Sequence, residues 1–71
     1  MIANEQELRG SLARIAWFQD QVAGMRQQKM SVSNYRAASS GFLAEIERMQ
    51  LEVREFLSLH PDEIQPLASA N

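Results

Sequence analysis

Along the first third of the chain the apolar residues Leu8, Leu12, Ile15, Phe18, Val22 and Met25 recur in steps of four, three, three, four and three. That spacing returns side chains to one face of an α-helix. No proline falls between Asn4 and Lys29, so the pattern predicts a first helix over about residues 4–29. Asn4 suits the N-cap, with Glu7 three residues on to complete a capping box. Glu5 and Glu7 lie at the positive end of the helix dipole, and Arg26 and Lys29 at the negative end. Gly10 and Gly24 each cost about 1 kcal/mol against alanine inside a helix, which weakens the pattern without breaking it.

The stretch Met30 to Asn34 carries two serines and an asparagine and reads as a short turn, with Ser31 or Ser33 as the cap of a second helix. Phe42, Ile46, Met49, Val53 and Phe56 then step by four, three, four and three. This is a heptad seam, extended backwards by Tyr35 and Ser39 and forwards by His60. It predicts that the second helix covers about residues 33–59. The weak residues Ser39, Ser40 and Gly41 leave a second option, a start only at Ser40 after a longer connector. Pro61 ends the helix, because the residue before a proline is pushed out of the helical region. Residues 61–71 have a second proline and no period, and are expected to form a flexible C-terminal tail.

Two helices joined by a short turn form an antiparallel αα-hairpin. The fold class expected is thus all-α, a coiled-coil-like two-helix hairpin spanning residues 1–60. A turn centred near Val32 would place Val22 opposite Phe42, Phe18 opposite Ile46, Ile15 opposite Met49 and Leu8 opposite Phe56, apolar against apolar at every level. Leu12, Leu43 and Leu57 lie beside this seam, with Ala16 and Ala23 next to them on the first helix. An apolar face that wide suits a bundle of three or four helices, and the simplest source of further helices is a second copy of the chain. The expected hairpin and dimer core comprises Leu8, Leu12, Ile15, Phe18, Val22, Met25, Phe42, Leu43, Ile46, Met49, Val53, Phe56 and Leu57, in a homodimeric four-helix bundle, with a monomer whose flanking leucines stay partly wet as the alternative.

Size sharpens that expectation. Seventy-one residues bury little of their unfolded surface and need a staple. With no cysteine and one histidine, neither disulfides nor a structural zinc site can supply it, which leaves oligomerisation. The residues are 45% hydrophobic and 23% charged, a composition that folds. A net charge of −2 gives no general attraction for nucleic acid. Arg26, Lys29 and Arg36 around the turn read as dipole partners and solubilising groups rather than phosphate contacts. No window has the apolar length of a membrane span and the N-terminus has no signal-peptide pattern, so the expected location is the cytoplasm.

Little in the chain points to chemistry. Glu45, Glu47, Glu52 and Glu55 fall on the back and shoulders of the second helix, where charge runs are solvated surface. No Glu-x-x-His pair of the di-iron kind exists, and His60 reads as a partner of the helix terminus. The glycine spacing matches no phosphate-binding loop. The chain is expected to be no enzyme, with no cofactor, no metal and no small-molecule substrate. Two residues remain as possible partner contacts: Trp17, one position off the seam, and Leu51, on the charged face of the second helix. Tryptophan is enriched at binding hot spots, but it also fills bundle margins.

The opening MIANEQEL, with RIAWFQDQVAGMRQQK after it, resembles over the first thirty residues the helical leader of small bacterial toxin-antitoxin-associated, Xre-type regulators. Those proteins continue into a helix-turn-helix DNA-binding domain, whereas the second half here, SSGFLAEIERMQLEVREFL, has the pattern of a coiled coil. The implication of the resemblance is confined to partner binding. The function expected is that of a small helical interaction protein that self-associates and binds a protein partner, with an antitoxin-like or regulatory partner of a bacterial operon as the alternative.

Overall fold

The computed structural model describes residues 1–64 and contains α1 (Glu5–Met25), α2 (Val32–Leu57) and a single turn, α3 (Pro61–Ile64). The expectation for 65–71 lies outside the described residues. α1 and α2 pack against each other as an all-α helical hairpin, a rod of 58 × 15 × 13 Å.

Local signals set the start of each long helix. The Glu7 amide donates to Asn4 Oδ1 at 2.8 Å, while Glu7 Oε1 reaches back past the cap to accept from the Ala3 amide at 2.8 Å. Ser31 caps α2, its Oγ accepting from the Asn34 amide at 3.1 Å. That decides between the two starts left open by the sequence. The helix runs unbroken through Ser39, Ser40 and Gly41, with the Ser40 hydroxyl bonded back to the Ala37 carbonyl at 3.2 Å and Ser39 buried in the seam.

The ends differ more from expectation. α1 stops at Met25 rather than near Lys29, because the amides of Arg26, Gln27 and Gln28 turn to the carbonyls of Ala23, Gly24 and Met25 in tightened i→i+3 bonds. Arg26 therefore caps the helix and Lys29 lies in the connector. α2 ends at Leu57, with the Ser58 amide on the Arg54 carbonyl and the Ser58 hydroxyl on the Glu55 carbonyl at 2.6 Å, before Pro61 comes into play. Pro61 instead opens α3, where its missing N–H costs nothing. The residues from 61 thus begin with a helical turn rather than with tail.

The early end of α1 moves the centre of the connector towards the N-terminus, and the register moves with it. Phe18 meets Phe42, with ring centroids 5.5 Å apart, one helical turn nearer the connector than the Ile46 expected from a turn at Val32. The seam residues themselves stand as the heptads place them. Leu8, Ile15 and Val22 of α1 are buried against Ile46, Met49, Val53 and Phe56 of α2, with Phe18, Tyr35 and Phe42 packed on this core. Met25 is half-buried at its connector end. Ile2 joins the core although it precedes the cap. It closes the open end of the hairpin, in a cleft shared with Phe56 and Leu59. A hydrophobic residue just ahead of an N-cap that packs on one in the first turn is the staple motif, and Ile2 with Leu8 is a variant of it.

No described large side chain is completely enclosed. Two helices in a rod cannot surround a side chain, and the radius of gyration of 16.6 Å compares with about 11 Å for a compact domain of this length.

Candidate functional site on the two sides of the hairpin

A helix turns about 100° per residue, so each flank of the seam can be read from residue numbers. On α1, Leu12 lies about 90° to one side of the seam and Gly10, Arg14 and Trp17 lie to the other. On α2, Val32, Leu43 and Leu57 lie to one side and Gly41, Glu45 and Glu52 to the other. Because the helices are antiparallel, the two wheels run in opposite senses seen from one end. Leu12 therefore shares a side with Val32, Leu43 and Leu57. The clefts agree: Gly10 and Arg14 line one with Glu52, while Arg26 lines another with Val32, Tyr35 and Arg36.

The hairpin is thus two-sided. One side carries an apolar stripe along its length: Leu57 near the open end, Leu12 and Leu43 about the middle, and Val32 at the connector. Leu43 is 50% exposed, Leu57 63% and Val32 68%, and Leu12 is exposed to a lesser degree. Ala16 and Ala23 widen the stripe on α1 and are themselves exposed. The expected core residues accordingly divide. Leu8, Ile15, Val22, Ile46, Met49, Val53 and Phe56 are buried within one hairpin, whereas Leu12, Leu43 and Leu57 are not.

The opposite side is charged. Arg48 bridges Glu45 and Glu52 along α2, reaching Glu52 at 3.2 Å. The amino terminus lies 3.6 Å from Glu52. The hydrogen bond from Arg48 holds the Glu45 carboxyl below the usual carboxylate range against the opposing effect of desolvation, with the nearby charges of Arg48 and Arg14 adding to the lowering. The four glutamates of α2 do not converge. Glu45 and Glu52 belong to this ladder and Glu47 and Glu55 are exposed, and among the described residues no group of three or more acidic or histidine side chains is placed to hold a metal ion.

Trp17 is 55% exposed and leans edge-on against Phe18, with ring centroids 5.1 Å apart at 71°. Phe18 and Phe42 in turn line an open groove of about 580 Å³ with Ala37, Ala38, Ser40, Gly41 and Glu45. Leu51, 53% exposed, lies on the outer back of α2, away from both Trp17 and the apolar stripe. The two candidate contact residues are therefore not brought together. His60 takes a role that the sequence pattern did not assign to it. Its amide donates to Glu63 Oε2 at 2.8 Å and its Nδ1 accepts from the Asp62 amide at 3.1 Å, so it caps the start of α3 rather than the end of α2. The signal was present in Pro61, Asp62 and Glu63, a helix start written just after a helix stop.

Among the described residues no helix is long and apolar enough to cross a membrane. In comparison with known proteins, no family model, no curated protein sequence and no solved structure matches this chain.

Proposed function

We propose that this chain is a non-catalytic helical interaction protein of the cytoplasm that self-associates through the side bearing Leu12, Leu43 and Leu57. The observation that carries the reading is the stripe of four large apolar side chains exposed along one side, with the Glu45, Arg48 and Glu52 ladder and the exposed Trp17 on the other. Scattered exposed leucines would be ordinary surface, but a stripe of them along one side of a helical pair is the kind of surface that a bundle buries. Among the described residues the clefts are open and no group of three or more acidic or histidine side chains converges in one. Sedimentation equilibrium at micromolar concentration is expected to give twice the chain mass, and Leu12→Glu with Leu43→Glu is expected to give a helical monomer. A wild-type monomer with a sharp thermal transition would overturn the reading.

A second, protein-binding role has its own support in Trp17, which lies off the self-association side and presents over half its surface to water. A solvent-facing tryptophan resting on Phe18 is the kind of anchor that a regulatory or antitoxin-like protein offers a partner. In the dimer its fluorescence is expected to be red-shifted and open to quenching by acrylamide. A blue-shifted, protected emission would place Trp17 inside the self-association interface and remove this role.

A further inference from the structure

The charge of the hairpin is sorted along its length. Between Asp20 and Glu45 the sequence has Arg26, Lys29 and Arg36 and no acidic residue at all, and this stretch folds into the connector end of the rod. The other end collects the start of α1, the end of α2 and α3. It holds Glu5, Glu7, Glu52, Glu55, Asp62 and Glu63 against Arg9, Arg54 and the amino terminus. In the middle, Arg14 and Arg48 offset two of Asp20, Glu45 and Glu47. A small net charge therefore conceals a rod that is positive at its tip, near neutral at its waist and negative at its open end, over 58 Å. Arg26 and Arg36 line the same cleft as Val32, so the positive tip reaches the apolar stripe.

From this we infer that two copies pack head to tail, each basic tip beside the other's acidic open end, with the apolar stripes face to face. The inference rests on the proposed self-association and adds its geometry. A two-fold axis can relate two such hairpins with tips together or with tips apart. The stripe permits both, since Leu12 and Leu43 straddle the middle and Leu57 and Val32 lie at opposite ends, so that reversing the stripe lays apolar on apolar again. Charge separates the two. With tips together, basic tip lies beside basic tip and acidic end beside acidic end, and the charges nearest the stripe side, Arg26 and Arg36 at the tip and Glu5 at the open end, meet their like most closely. With tips apart, Arg26, Lys29 and Arg36 of each copy face the acidic end of its partner. Like charges set side by side exclude a wrong arrangement more strongly than the matched ones add affinity, so the sorting acts mainly as a choice of orientation.

The chain has no cysteine, which makes single-cysteine cross-linking unambiguous. Val32→Cys reports the tip and Leu57→Cys the open end, both at positions exposed in the single hairpin, so that neither change disturbs its core. Each variant alone and a mixture of the two are treated with a short bis-maleimide, and the products are weighed by mass spectrometry alongside sedimentation of the same samples. The head-to-tail dimer is expected to give the mixed Val32→Cys to Leu57→Cys product and little of either self-product. With tips together these two sites lie roughly 37 Å apart, about 25 helical residues, beyond the linker. Self-linked products from each variant alone overturn the orientation while leaving self-association intact. A dimer mass with no cross-link from any sample also overturns the inference, since the stripes are then not in contact. A monomer mass removes both the inference and the reading beneath it. Raising salt to 0.5 M is expected to weaken the dimer several-fold, since screening then shortens the reach of the matched end charges to roughly half. An orientation fixed by the stripe alone would leave it unchanged or tighter.

Discussion

Replacing Gly10 and Gly41 together by alanine is expected to raise the melting temperature by about 8–16 °C, at roughly 4–8 °C for each kcal/mol in a domain of this size. Each glycine sits inside a helix, with a right-handed backbone that alanine adopts freely. A Cβ built at either position meets no atom within 4 Å, so the added methyl group strains nothing. The change acts on the unfolded chain, which loses freedom, and on the helix, which gains the better former, for about 1 kcal/mol at each site. The sites are on different helices and share no packing partner, so the two gains should add. Gly24 is a poorer target because it lies one residue from the end of α1 and its carbonyl already serves the Gln27 amide. Thermal melts monitored by circular dichroism, at one fixed protein concentration because a dimer's midpoint depends on it, give the measurement. The same variant bears on the interface. Gly10 lies about 160° around α1 from Leu12, and Gly41 about 160° around α2 from Leu43, so neither methyl group should touch a second copy on the leucine side. A double variant that melts lower, or that dissociates, would mean that these glycines are covered by close-packed backbone and that the interface is on the wrong side.

The packing and the charges lead to two further outcomes. Ile46→Ala is expected to cost about 2–5 kcal/mol in denaturant melts, Phe18→Ala less than a fully buried phenylalanine would because its ring is only half-buried, and Glu47→Ala under about 0.5 kcal/mol; a reversed order refutes the seam. In an NMR titration the Glu45 carboxyl is expected to titrate below the ordinary carboxylate range, and Arg48→Met to bring it back up, since the Arg48 hydrogen bond is its largest cause. A folded-state value below the unfolded one adds stability above the unfolded value, and that contribution disappears as the pH falls through the folded value; an unshifted midpoint in the parent chain would show that the bridge does not form in solution.

Where apolar residues repeat at helical spacing, the sequence is enough to place them. The seam from Tyr35 to Phe56 lies where the heptads put it, and Asn4 caps α1 as its side chain and position imply. Ser31 rather than Ser33 caps α2, a choice between two equally competent side chains that only the path of the connector decides. The register was harder to read, because it depends on where α1 stops. Periodicity is silent there: Arg26 to Lys29 are good helix formers, and it is the i→i+3 bonds after Met25 that end the helix. A displacement of one turn keeps every apolar side chain on the seam, so sequence pattern alone cannot detect it. Ile2 has no spacing to identify it, being a single apolar residue outside any periodic run, and the sequence pattern assigns His60 to the preceding helix end because the helix it caps is too short to have a period.

The leucine stripe and the charge sorting differ in the level at which they become visible. Leu12, Leu43 and Leu57 are off-seam in the sequence, but whether they form one surface or two depends on the sense in which each wheel runs, and hence on the antiparallel packing. Had the same residues faced opposite sides, each hairpin would carry two narrow apolar edges, a pattern suited to open-ended stacking rather than closure. The charges at the tip and open end are far apart in sequence as well, since Glu5 and Glu55 come to the same end of the rod only when the hairpin closes. Among the described residues no large side chain is fully enclosed and the leucine stripe is uncovered, which is what the proposed self-association would bury. In the proposed dimer the apolar stripe on one side would supply attraction and the lengthwise charges orientation, so the two roles would fall to different residues. Substitutions that abolish association should therefore be separable from substitutions that only reverse its direction.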